Sequence, residues 1–437
     1  MTKPEFIITI QDWQQGGYDS PEVNATEASL SITVNGRKAT SVLAKSGKTT
    51  REHIYASAYP LAFWLAENWW RLRWEPSLRP ADANWLFAHH TQSAGFGYAW
   101  PDLTIASDGE VVRMRSCNTA GTAAEPIQYL LDFEENVPAN LFEKEVERFI
   151  TDVLDRLDAM GLTDTDLHVL WRDVRAERAD QEEALFRKTE AFLGGDPDEL
   201  SQEVVRLFLG FGAEIGTQAA LELATGAPAA NRSAYLGELK NQAGMEGHAA
   251  TMRCLVRSDF TDILHGSKAP WEKGWELARQ ARRALKLGVE PINAPRLAEL
   301  IEAPDSIWMD TPSKKQRFGL AIREQKGGGE VKLLLEKSDV EGRRFEAARL
   351  MADHLLSPDD LWLPATGSKT ARQKIQRAFA AEFLCPFEVI EKEVGDEPTE
   401  STVAAIADHY QVSTAVVAGL LVNRNVVERE DLQYLVS

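Results

Sequence analysis

At Asn140 the chain changes its hydrophobic period, and that change limits the fold more than any other feature. Before it, apolar and polar residues alternate in FIITI (6–10) and SLSITV (29–34), the period of a half-buried strand. After it, Phe142, Val146, Phe149, Val153 and Leu157 recur three and four apart, the stripe of an amphipathic helix. A chain that opens largely as sheet and continues largely as helix is expected to be α+β.

Turn and cap signals divide the chain further. Asn35-Gly36, between SITV and RKATSVL, and Asp108-Gly109, within GYAWPDLTIASDGEVVRMRS, suit the left-handed residues of tight hairpins. Between them Pro60 is expected to open the helix LAFWLAENWWRLRW. Asn140 and Glu143 have capping-box spacing, Asp196-Pro197 marks a second helix start, and GAPAANRSAYLG reads as a loop. PWEKGWELARQARRALKLGVEPI reads as a helix closed by Gly288, with RLAELIEA as a short helix after it. GLAIRE and EVKLLLE form a hairpin across Lys326-Gly327-Gly328-Gly329. At 437 residues the chain exceeds one ordinary core. Three regions are expected: a mixed α/β domain over 1–138, a helical region over 139–265 and a third domain over 266–437.

Composition narrows the function classes. No apolar run approaches the roughly 20 residues that span a bilayer, and MTKPEFIITIQDW lacks a signal-peptide pattern, so a cytoplasmic protein without membrane contact is expected. Cys117, Cys254 and Cys385 are too dispersed for a disulfide framework or a CxxC knuckle. A formal charge of -19 counts against broad nucleic-acid binding, which works by neutralising phosphates. SGKTT (46–50) lacks the glycine a phosphate loop needs five positions before Gly47, where Val42 stands, and reads as a polar turn. His89-His90 and the pair Glu246 and His248 have no partner at metal-ligand spacing and read as structural or surface residues.

Six of the twelve tryptophans, Trp64, Trp69, Trp70, Trp74, Trp85 and Trp100, crowd into the N-terminal region. A large aromatic core is the plain reading. The adjacent Trp69 and Trp70 point about 100° apart on a helix, so one of them, with Arg71 and Arg73 beside it, is the candidate for partner contact. Near the C-terminus, STVAAIADHYQVSTAVVAGLLVNRNVV reads as a helix, a turn over Tyr410 to Val412 and a second helix capped by Ser413, resembling a helix-turn-helix. Its only amide and basic residues, Asn423, Arg424 and Asn425, stand at the end of the second helix rather than at its start, which favours a structural role.

RRFEAARLMADHLL (343–356) carries the sharpest signal. Arg349 and Asp353 are four apart on one helix face, the spacing by which HExxH presents two imidazoles to zinc, and Leu350 stands where that motif has its general-base Glu. Downstream, RAFAAEFLCP (377–386) is similar to the Phe-Ala-Ala-Glu segment of the ImmA/IrrE family of zinc metallopeptidases, and the 271–303 helices resemble that family's leading helical pair. The resemblance covers 270–437 and implies a zincin-like C-terminal domain with a degenerate site. Gln373 and Ile375, nearest to the third-ligand position, are not carboxylates, and Arg349 has no lone pair to give a metal. No catalytic residue and no cofactor are carried over. Arg349 and Asp353 are expected to pair in place of zinc, and His354 to lie at the surface. The resemblance implies a non-catalytic, protein-binding sensor or scaffold in bacterial stress, mobile-element or phage-related regulation. A metallopeptidase with a relocated site, recruiting His354 with Asp353, Asp359, Asp360 or Glu382, and a DNA-binding regulator are the alternatives.

Overall fold

The computed structural model describes residues 4–17, 20–44, 49–77, 82–119, 127–309, 316–395 and 398–428. The chain forms two compact units, 1–206 and 207–437, and is mixed helix and antiparallel sheet. This corrects the three-region division. The helical stretch 139–265 is no body of its own, because its first helices close the core of the N-terminal unit and its later ones join the C-terminal unit.

The N-terminal unit begins with β1 (Phe6–Gln14), α1 (Pro21–Ala25), β2 (Glu27–Val34) and β3 (Arg37–Lys38). Then come β4 (Val42–Ala44), β5 (Thr49–Arg51), β6 (Ile54–Ser57), α2 (Ala58–Glu67), α3 (Trp69–Trp74) and α4 (Ala83–His89). Strands β7 (Leu103–Ser107), β8 (Val111–Ser116), β9 (Ile127–Tyr129) and β10 (Phe133–Pro138) lead into α5 (Ala139–Ala159), α6 (Asp166–Ala179) and α7 (Gln181–Phe192). Both expected hairpins form: Asn35 and Gly36 take φ of 48° and 80° between β2 and β3, and Gly109 takes 103° between β7 and β8. The stripe of α5 is fully buried, and Phe142 stacks on Phe6 at 5.6 Å. Its polar residues serve the edge strand: Glu145 accepts the Ile8 N–H at 2.6 Å and Arg148 donates to the Ile8 carbonyl at 2.5 Å, covering backbone groups that would otherwise invite another strand.

Three expected helix starts move. Ser57 caps α2 by accepting the Tyr59 N–H, so the helix starts before Pro60. Pro138, not Asn140, is the N-cap of α5, and no capping box forms. No helix starts at Asp196-Pro197, since Asp196 is taken by Arg71 at 2.9 Å. Ser46, Gly47 and Lys48 of SGKTT lie outside the described residues.

In the C-terminal unit, α8 (Gln202–Ile215), which straddles the boundary, α9 (Thr217–Ala224) and α10 (Arg232–Ala243) precede β11 (His248–Thr251) and α11 (Thr261–Leu264). Part of the expected GAPAANRSAYLG loop is thus the start of α10. Next are α12 (Pro270–Ala284), α13 (Ala294–Leu300), β12 (Gly319–Arg323), β13 (Glu330–Leu334), α14 (Val340–Leu356) and β14 (Trp362–Ala365). The described chain ends with α15 (Ala371–Leu384), α16 (Phe387–Val394), α17 (Glu400–Tyr410) and α18 (Thr414–Asn423). One antiparallel sheet runs in the order β11-β13-β12-β14. Helix α14 lies against this sheet and against α15, which packs closely on α12: a Cβ at Gly274 would sit 2.6 Å from the Ile375 carbonyl, so only glycine fits there. No single helix among the described residues is long and apolar enough to cross a membrane. The bent pair α17 and α18 passes that test only together, and its apolar residues are buried in the core.

Candidate functional site

Helix α14 is buried nearly all round. An apolar helix can be buried at no polar cost, whereas α14 also carries Arg343, Arg344, Glu346, Arg349 and Asp353 inward, and each must find a partner there. Each does, outside α14. Arg343 donates to the Ile307 and Lys337 carbonyls at 2.6 and 3.0 Å, and Arg344 to those of Ile292 and Gln411. Glu346 accepts the N–H groups of Glu336 and Lys337 at 2.8 and 3.1 Å. Burial pushes the Glu346 carboxyl up to about 7, against the pull of the Lys337 N–H.

The three motif positions follow the same logic. Arg349 donates through one Nη to the Thr366 carbonyl just past β14 and to Gln373 Oε1 on α15, both at 2.6 Å. Gln373, which is fully buried, donates in turn to the Pro364 carbonyl at 2.9 Å. Arg349 and Gln373 are therefore neighbours in space, joined by a hydrogen bond. Burial lowers the Arg349 pKa to about 10 and the nearby Arg377 cation adds to the effect, leaving it still a cation at neutral pH. Leu350 is fully buried in the apolar core. Ile375 is also core, packed among apolar residues.

Asp353 does not pair with Arg349, contrary to expectation. Both its oxygens accept from Arg372, at 2.7 Å to Nε and 2.7 Å to Nη2, a bidentate fork that a flexible i, i+4 contact on one helix does not match. Arg372 Nη1 donates to Asp360 at 2.7 Å. Burial works against the Arg372 cation, but Asp353 and Asp360 outweigh it and hold its pKa above the usual value. Gly216, at φ 113°, lets α9 start against this network, since a Cβ there would lie 2.1 Å from the Asp360 carboxylate. Beside it, Thr370 caps α15 and donates to Glu222 at 2.8 Å. Burial raises the Glu222 carboxyl to about 7, while Arg372 and Thr370 pull it down and Asp353 pushes it further up.

His354 is half-buried, not a free surface residue. Its Nδ1 takes a hydrogen bond from Arg323 at 2.9 Å, and burial together with the Arg323 and Arg257 cations drives its pKa down to about 4. Arg323 also binds the His354, Ser357 and Asp360 carbonyls, closing the C-terminus of α14. Three of the four carboxylates that a relocated site would recruit are committed elsewhere, Asp353 and Asp360 to Arg372 and Glu382 to Arg279 and Arg424 at 3.0 Å each, while Asp359 is exposed. Among the described residues, no three His, Cys, Asp or Glu side chains are grouped to hold a metal ion.

The expected partner patch is also corrected. Trp69, Trp70 and Arg71 are 2%, 4% and 1% exposed. Trp69 packs edge-on to Trp171, Trp70 donates to Glu177 at 2.7 Å, and Arg71 binds Glu75, Asn84 and Asp196. Arg73 binds Glu143 and the Gly109 carbonyl and lies over Trp74. Helix α3 is enclosed on every side, so residues pointing apart all reach the core. In the helix pair α17 and α18, Arg424, at the far end of α18, turns inward onto Trp275 and Phe387, at 3.7 and 4.8 Å, which withdraws it from any DNA groove. The buried set around Glu222, Asp360 and Arg372 was invisible in the sequence, because nothing local links positions this far apart. No protein-family model, curated protein or solved structure matches the chain.

Proposed function

We propose that this chain is a non-catalytic, ImmA/IrrE-like protein that acts by binding a protein partner, as a sensor or scaffold in bacterial stress, mobile-element or phage-related regulation. One observation supports the non-catalytic part above the rest. The three positions on α14 that would carry zinc chemistry are Arg349, Leu350 and Asp353, and each is consumed by the interior: Arg349 by Gln373 and Thr366, Leu350 by apolar packing, Asp353 by Arg372. A ligand set must offer lone pairs toward a shared point, and an acceptor locked into a bidentate ion pair does not. The formal charge of -19 favours a protein partner over a nucleic acid.

The test is chelator dependence. Protein treated with a strong chelator and untreated protein are cross-linked in extract of their native cells and the adducts compared by mass spectrometry. The same specific protein adduct, uncleaved, is expected in both. An adduct that needs metal, or metal-dependent cleavage of the partner, would overturn the reading in favour of a metallopeptidase.

A further inference from the structure

The C-terminal unit holds a cavity of about 530 Å³ that shares no residue with the α14 positions discussed above. Five cationic side chains line it: Arg279, Arg282, Arg283 and Lys286 from α12 and the turn after it, and Arg424 at the end of α18. Three carboxylates face them, Glu382, Glu388 and Glu391, leaving a surplus of two positive charges in a chain whose formal charge is -19. A concentration of cations against the sign of the whole molecule is unfavourable unless an anion offsets it.

The cations fall into two groups. Arg282 is structural: it is buried and donates to the Gly288, Glu290 and Phe383 carbonyls, fixing the turn that presents Lys286 at a left-handed φ of 54°. Glu382, buried on α15, holds Arg279 through Nε and Arg424 through one Nη, so the two guanidinium groups are oriented by one carboxylate from opposite sides. That leaves N–H groups to spare. The terminal nitrogens of Arg279 carry no hydrogen bond among the described residues, and Arg424 Nε is buried without a partner while its plane is fixed between Trp275 and Phe387. Arg283 and Lys286 are exposed and pair with nothing among the described residues. Val289, Pro386 and Phe387 give the cavity an apolar wall.

We infer that this cavity binds a small phosphorylated anion of nucleotide size, its phosphate held by Arg279, Arg283, Lys286 and Arg424 and its less polar part against Val289, Pro386 and Phe387. Planar guanidinium forks with one ammonium suit phosphate oxygens, and a phosphate monoester or diphosphate carries the charge that the surplus calls for. A lone carboxylate would be satisfied by one guanidinium and leave the others uncompensated. The volume falls within the range of small-molecule sites, roughly 300–1,000 Å³. The inference is independent of the pseudopeptidase reading.

The test titrates the full chain with ADP and, separately, with inorganic pyrophosphate, by calorimetry at near-physiological salt with chelator present. Saturable binding of one site per chain is expected for at least one probe. Arg283→Glu combined with Lys286→Glu, two exposed positions, should weaken it by about tenfold or more, whereas Arg296→Glu, exposed on α13, should leave it unchanged. Binding of ADP alone assigns the ligand to nucleotide-like molecules, and binding of both assigns it to the phosphates; either supports the site. No saturable binding of either probe, equal loss in the control variant, or undiminished binding in the double variant overturns it. Tight capture of single-stranded DNA through Arg283 and Lys286, with neither small probe bound, would overturn it as well.

Discussion

Replacing Asp353 with alanine removes the carboxylate on which Arg372 depends most. Asp353 is fully buried and supplies two of the three charge-assisted hydrogen bonds of Arg372, each 2.7 Å; Asp360 supplies the third. Breaking a buried pair from one side costs about 3–5 kcal/mol, because the remaining charge stays buried without its counterion. Asp360 still satisfies one N–H, so the expected cost is near the lower bound, about 3 kcal/mol. That is a large share of the roughly 5–15 kcal/mol by which a domain is stable. The triple variant Asp353→Leu/Asp360→Asn/Arg372→Met, which removes the Arg372 cation together with both of its buried counterions, should recover to within about 1 kcal/mol of the native chain. The assay is urea unfolding by tryptophan fluorescence, with hydrogen exchange of α14 and α15 peptides assigning the transition to the C-terminal unit. A single-variant loss below about 1 kcal/mol, or a triple variant no better than the single one, would refute the claim that this network is a buried structural tie.

Four further outcomes follow. Glu222 titrates near 7 in the fold against 4.5 ordinarily, so the folded chain holds the proton between those values; its contribution is full below about pH 4.5 and is lost as pH rises through 7. Glu222→Gln, which keeps an acceptor for Thr370, should therefore lose less melting temperature than the native chain between pH 5 and pH 8, and an unchanged profile would contradict the burial argument. His354 has the opposite sign: its pKa near 4 means its contribution is present above about 6.5 and lost as pH falls toward 4, so His354→Gln should flatten the acid limb of the thermal profile. Trp69→Ala should cost about 3–5 kcal/mol in the N-terminal unit, measured by denaturation, rather than act as a surface change of a few tenths. Rewriting the motif as Arg349→His, Leu350→Glu and Asp353→His should not create tight zinc binding, because the Arg372 cation, paired then with Asp360 alone, would stand beside the new imidazole; tight zinc uptake in a metal-binding titration would contradict this.

What was legible in the sequence was local. The stripe of α5, the two hairpin turns, the β12 and β13 hairpin and the turn between α17 and α18 all depend on residues within a few positions of one another, and they form as read. Partner choice between helices, such as Arg349 with Gln373 24 residues away, was not legible. Asp353 had a nearby cation in Arg349, but a planar fork from α15 outcompetes it, and only the packing of the two helices decides which guanidinium arrives. The burial of Arg343, Arg344 and Glu346 on α14 had no signal either, because these side chains bind backbone groups of other segments. Strands β11 and β14 were missed since HAAT and WLPA are too short to show alternation. Trp69 and Trp70 join the aromatic core, as the plain reading had it, and the alternative of partner contact fails because both are buried.

The central claim is that α14 is a structural hub whose zinc positions are spent on the interior. It is tested most directly by counting zinc per chain, using elemental mass spectrometry on protein purified without chelator, offered zinc and desalted. The account predicts near zero, unchanged in Asp353→Asn. About one tightly held zinc per chain, lost in that variant, would contradict it, since Asp353 would then be a ligand rather than the counterion of Arg372.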